Sequence, residues 1–143
     1  MKPSDRNRML LVMSHLLAGL LGAICGYAYD YRRGPLVDTI IEGMTDLPQS
    51  DAAAIAYRFG TAQHAHSLLL ALPVPDTQDQ SQLAGILFRY LRVTAVCNEL
   101  GDLSCESKYL ALATQICDRR YRKHCTPDKM TKALEIAKKP RFH

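Results

Sequence analysis

Apolar and polar positions divide the chain into one long uncharged run and a series of shorter helical stripes. The run is Met9–Tyr29, MLLVMSHLLAGLLGAICGYAY. As a helix it would be about 31 Å long at ~1.5 Å per residue, matching a bilayer hydrocarbon core of about 30 Å. Lys2, Arg6 and Arg8 precede it, and Tyr27, Tyr29 and Tyr31 lie at its far end, where amphipathic rings favour the interface. The pattern predicts a transmembrane signal anchor over 9–29, a cytoplasmic tail over 1–8 and an extracytoplasmic helical domain over 30–143. Arg32 and Arg33 weaken that charge asymmetry. Two alternatives stay open. Gly26-Tyr27-Ala28 has the small-x-small form of a signal-peptidase site, and Ser14 and His15 suit a core helix of a soluble protein. Cys25 is poorly placed for lipidation because Ile24 stands before it.

Beyond the run, Gly34-Pro35 reads as a break. Leu36, Val37, Ile40, Ile41, Met44 and Leu47 then keep helical spacing up to Pro48. Ser50 reads as the cap of the next helix, with Asp51 in its first turn. Ala52, Ile55, Ala56, Phe59, Ala62, His66, Leu69 and Leu70 fall near one face of that helix, which Pro73-Val74-Pro75 closes. A third stripe runs through Leu83, Ile86, Leu87, Tyr90, Leu91, Thr94, Cys97 and Leu100, with Gly101 as its stop. Ser104 is placed to cap a fourth helix bearing Tyr109, Leu112, Ala113 and Ile116. Thr126-Pro127 opens a fifth, striped by Met130, Ala133, Leu134 and Ala137 and ended by Pro140. Period-two alternation is absent. The expected fold is all-α: one N-terminal transmembrane helix followed by a small bundle of about five helices. Glu99-Leu100-Gly101-Asp102-Leu103 resembles the turn of a tetratricopeptide-type helical hairpin. The resemblance covers one unit, with no second copy at the expected period, and implies no more than a helix–turn–helix corner.

The four body cysteines sharpen this picture. Their spacing is C-x7-C-x11-C-x7-C, and four cysteines allow three pairings. Cys105 and Cys117 would lie about 18 Å apart along one helix, far beyond the roughly 4.4–6.8 Å between the Cα atoms of a disulfide. Cys97 and Cys105 flank one helix corner, and Cys117 and Cys125 flank the next. The expected bridges are therefore Cys97–Cys105 and Cys117–Cys125, which require an oxidising compartment. The competing chemistry is metal binding by Cys97, Cys105, Cys117, His124 and Cys125, but no C-x2-4-C knuckle exists. Reduced, buried thiols are the other alternative.

Charge changes the picture at the C-terminal end. The chain carries +4, yet residues 119–143 hold nine Lys or Arg and two acids, leaving −3 for the rest. Arg119, Arg120, Arg122 and Lys123 are candidates for an anionic partner, against the plainer reading of cations at a helix C-terminus. In the N-terminal run Ala18, Gly22 and Gly26 recur every fourth position, a small-xxx-small pattern that lets membrane helices pack closely. Gly is also simply common in membrane helices.

No motif supports catalysis. His64 and His66 point about 200° apart on a helix. Nothing in the sequence brings Glu42 and Asp51 together, and no phosphate loop, nucleophile elbow or H-E-x-x-H is present. The expectation is a non-enzyme without cofactor or metal. It would be a single-pass protein of a bacterial inner membrane, its periplasmic domain binding another envelope protein as an accessory, assembly or inhibitory subunit, with homodimerisation through the membrane helix. Leu68, Leu69 and Leu70 are candidates for part of the contact surface. The alternative is a soluble cytosolic helical protein whose basic C-terminal half binds nucleic acid.

Overall fold

A computed structural model describes residues 3–121 and 125–138; before Gly34 it describes the side chains of Met9 and of 12–26. Six α-helices and no strand occur among the described residues: α1 Pro3–Gly43, α2 Gln49–Phe59, α3 Ala62–Ala71, α4 Gln80–Glu99, α5 Leu103–Tyr121 and α6 Pro127–Lys138. The chain forms two compact units, one ending at Arg33 and one beginning at Gly34.

In the first unit, Val12, Met13, Leu16, Leu17, Leu20, Leu21 and Ile24 each keep 51–63 % of their surface exposed. On a helical wheel of 3.6 residues per turn these side chains occupy about half of the circumference. Ala18, Gly19, Gly22, Cys25 and Gly26 fall on the other half, with Ser14 and His15 among them. Among the described residues no helix is long and apolar enough to cross a membrane. The uninterrupted described stretch here is Val12–Gly26, about 22 Å of helix. The side chains of 10, 11 and 27–29, which complete the expected span, are not among those described.

Gly34-Pro35 is not a break. Pro35 lies inside α1, where its ring removes one backbone donor, and the Thr39 hydroxyl donates to the Pro35 carbonyl at 2.9 Å. The helix ends at Gly43, earlier than Pro48 suggested, and Met44–Leu47 continue as turns. Pro48, rather than Ser50, occupies the cap position of α2; its carbonyl accepts from the N–H groups of Asp51 and Ala52, both at 2.9 Å.

The single helix expected over Ser50–Leu72 is two. Gly60 is extended (φ −90°, ψ −167°) and ends α2. The Thr61 side chain then accepts from the His64 N–H and caps α3. The cause lies upstream in α1: the Asp38 carboxylate accepts from the Thr61 N–H (3.2 and 3.3 Å) and from the Thr61 hydroxyl. A Cβ on Gly60 would collide with that carboxylate and with the Ala56 backbone.

Helix α4 is the axis of the second unit, packing on α3, α5 and α6. Val93, Thr94, Ala95, Val96 and Cys97 are all buried, so over these five residues the helix is covered on every side rather than on one stripe. Val93, Val96 and Cys97 join Ile41, Ala52, Ala53, Ala56, Tyr57, Ala65 and Leu69 in one core. Leu91 and Ala95 join Ala113, Cys117, Met130, Leu134 and Ala137 in a second. Tyr57 links the two, donating its hydroxyl to the Ala137 carbonyl. The apolar stripe expected for α6 is the one it buries.

Candidate functional site

The α4–α5 corner is the most defined chemical feature of the chain. Gly101, at φ +72°, takes the left-handed conformation that ends α4. Asp102 N–H bonds to the Cys97 carbonyl at 2.9 Å and Gly101 N–H to the Asn98 carbonyl at 3.1 Å, the paired bonds of a Schellman stop. Asp102, not Ser104, caps α5: its carboxylate accepts from the Cys105 N–H at 2.9 Å. Asn98 Nδ2 adds bonds of 3.2 and 3.1 Å to the Glu106 carboxylate across the bend.

Both cysteine backbones are therefore held by hydrogen bonds at the corner, and their Cα atoms lie 5.7 Å apart in the Cys97–Cys105 disulfide. Cys97 is fully buried and Cys105 half-buried. His66, from α3, places Nε2 3.4 Å from Cys105 Sγ. Its ring nitrogen and the two sulfurs all lie within 4.8 Å of one another. These are atom types that suit a soft metal, but with both sulfurs bridged only the imidazole is left to ligate.

The second expected bridge, Cys117–Cys125, is present with Cα atoms 5.9 Å apart. Cys25 is free and exposed.

His64 and His66 are both half-buried and serve different neighbours. His64 Nδ1 lies 3.0 Å from Asp38 Oδ1, an ion pair once the ring is protonated. That contact belongs to the same junction as Thr61, whose hydrogen bonds join α1 to the α2–α3 turn. Glu42 and Asp51 are exposed and lie on separate helices.

A cleft of about 270 Å³ opens beneath the segment Val74–Thr77. Leu83, Ile86, Tyr90, Leu112 and Ile116 form its apolar wall, and Asp76 and Arg119 also line it. A neighbouring hollow of about 200 Å³ shares Val74, Tyr90 and Leu112 and is lined also by Arg89 and Lys108. Arg89 Nη1 donates to the Pro73 carbonyl at 2.8 Å. Asp76 and Arg119 thus line the first cleft, and Arg89 and Lys108 the second.

The candidates for an anionic partner divide. Arg119 is exposed and Arg120 half-buried, its guanidinium 4.9 Å from the centre of the Tyr121 ring; Arg122, Lys123 and His124 lie outside the described residues. Of the three leucines, Leu69 is core, Leu68 packs against the core and Leu70 is 43 % exposed. Arg92 was not among the candidates. Its guanidinium stacks 4.4 Å from the Phe88 ring centre and 5.1 Å from that of Tyr57, and burial pulls its pKa below the usual arginine value. Ala18, Gly22 and Gly26 are exposed, and a Cβ on either glycine would meet nothing within 4 Å. No family model, no curated protein and no solved structure matches this chain.

Proposed function

We propose that this chain is a membrane-anchored helical subunit whose disulfide-bridged body binds another protein on the oxidising side of a bacterial inner membrane. The observation that carries the reading is the set of seven large apolar side chains from Val12 to Ile24, each more than half exposed. Water is a poor solvent for such a surface, and lipid is a good one. The small-residue half of the same helix suits close packing on a second membrane helix, including that of another copy. The two bridges suit an oxidising space, and the cations preceding the apolar run favour the cytoplasm for the N-terminus. For the body, the two adjoining hollows, one lined by Arg119 and Asp76 and the other by Arg89 and Lys108, suit an acidic protein segment. The nucleic-acid alternative needs the body in a reducing compartment, and the bridges weigh against it.

The test is extraction and topology. In native membranes the full chain should resist alkaline carbonate, be released by detergent, and have its body digested by protease added from the periplasmic side. Leu16→Arg with Leu20→Arg should move it out of the detergent-requiring fraction. Recovery of the intact wild-type chain in the soluble fraction without detergent would overturn the reading.

A further inference from the structure

We propose that the Cys97–Cys105 disulfide is redox-active, exchanging with an external protein dithiol through attack at Cys105 Sγ, whereas Cys117–Cys125 is a structural bridge. The inference is independent of membrane anchorage. Thiol–disulfide exchange depends on which sulfur is reachable, on how well the departing sulfur is stabilised as a thiolate, and on the attacking thiol. The corner sets the first, and His66 bears on the second. Cys97 is fully buried and Cys105 only partly so, which makes the Cys105 side of the bridge the more open one.

Cys105 also sits in the first turn of α5, where the helix dipole favours negative charge. His66 Nε2 lies 3.4 Å from its sulfur, at hydrogen-bond distance of the thiolate released in the second step, and within 4.8 Å of the Cys97 sulfur. The Schellman bonds, the Asp102 cap and the Asn98–Glu106 pair hold the corner without the bridge. Opening the disulfide therefore need not dismantle the bend.

The second bridge differs in its imidazole and its corner bonds, not in burial or helix position. Cys117, like Cys97, is buried near the C-terminal end of its helix, and Cys125, like Cys105, is partly buried. Among the described residues no imidazole accompanies that pair.

In the exchange, the incoming thiolate forms a bond to Cys105 Sγ, the Cys97–Cys105 bond breaks, and the Cys97 sulfur leaves with the electron pair. It then takes up the proton given up by the incoming thiol. The second thiol of the dithiol attacks its own sulfur in the mixed disulfide, releasing Cys105 as a thiolate that is protonated in turn. The chain gains two electrons and two protons; the dithiol loses them and becomes a disulfide.

The experiment treats the purified full chain with dithiothreitol under native conditions and follows each bridge by differential alkylation and mass spectrometry. Cys97–Cys105 should open at least ~10-fold faster than Cys117–Cys125. A Cys97→Ser chain should trap glutathione as a mixed disulfide on Cys105 when given oxidised glutathione. A Cys105→Ser chain should leave Cys97 unmodified until denaturant is added. His66→Ala should slow opening of the first bridge severalfold, with helix content and the rate at the second bridge unchanged. Equal rates at the two bridges, opening only at the rate of global unfolding, or preferential trapping on Cys97 would each overturn the proposal. The rate comparison uses the unmodified chain, so a variant that fails to fold does not remove the test.

Discussion

Gly60 lacks a Cβ, and that lets the Asp38 carboxylate reach the backbone of Thr61. The φ of −90° at Gly60 is open to any residue, so the requirement is steric rather than conformational. Gly60→Ala would place a methyl group against the Asp38 side chain and 2.9 Å from the Ala56 carbonyl oxygen. It should cost about 1–3 kcal/mol, read as a lower denaturant midpoint with an unchanged slope. Tyr57→Phe tests the other long-range tie. It leaves the carbonyl of fully buried Ala137 without its partner, and the loss should be about 1–3 kcal/mol; an unchanged midpoint would show that water replaces the hydroxyl. Asp79 adds a pH dependence. Hydrogen bonds from the Ser81 hydroxyl and backbone N–H hold its carboxyl below the ordinary value of 3.8. A depressed folded-state pKa means that the cap stabilises α4 above that ordinary value and is lost as pH falls through the lower folded one. Asp79→Asn keeps an accepting oxygen without the titration, so the acid-induced loss of helix should lose this component, as followed by circular dichroism between pH 5 and about pH 2.

At the scale of elements, local signals were legible and distant ones were not. Gly101 stops α4 and Pro127 starts α6 because each is decided by the residue's own backbone chemistry. The cysteine pairing was legible for a related reason. Each C-x7-C spans one helix corner, and helical rise excludes pairing within α5. The break between α2 and α3 was hidden, since Gly60 interrupts an apolar stripe that continues on both sides. What breaks the helix there is a carboxylate from α1. The approach of His66 to Cys105 was hidden too, because it depends on how α3 packs against the α4–α5 corner. Pro35 misled in the opposite direction: one missing donor does not end α1. The second disulfide carries its own prediction. It closes a loop of nine residues from Cys117 to Cys125, for which loop-closure entropy gives about 2–3 kcal/mol. Replacing both cysteines by Ser should lower stability by that amount while leaving the rate of opening at Cys97–Cys105 unchanged.

For the whole molecule the deciding quantity is the compartment that its chemistry demands. An exposed apolar surface on α1 and two bridges in the body are separate facts, in separate compact units. Under the anchor reading they share one cause, since a helix that crosses the inner membrane from the cytoplasm delivers the body to an oxidising space. The thiol state inside the cell therefore tests the whole arrangement. Chain taken rapidly from native membranes and alkylated in denaturant without reductant should react at Cys25, the one free cysteine. Cys117 and Cys125 should react only after reduction. The state of Cys97 and Cys105 then becomes a separate readout. If that bridge turns over with a dithiol partner, a fraction of molecules should carry those two thiols alkylated while Cys117–Cys125 stays closed, and loss of the cell's periplasmic thiol-oxidising activity should raise that fraction. Alkylation of all five cysteines at once would instead place the body in a reducing space, and the shared cause of anchor and bridges would be gone.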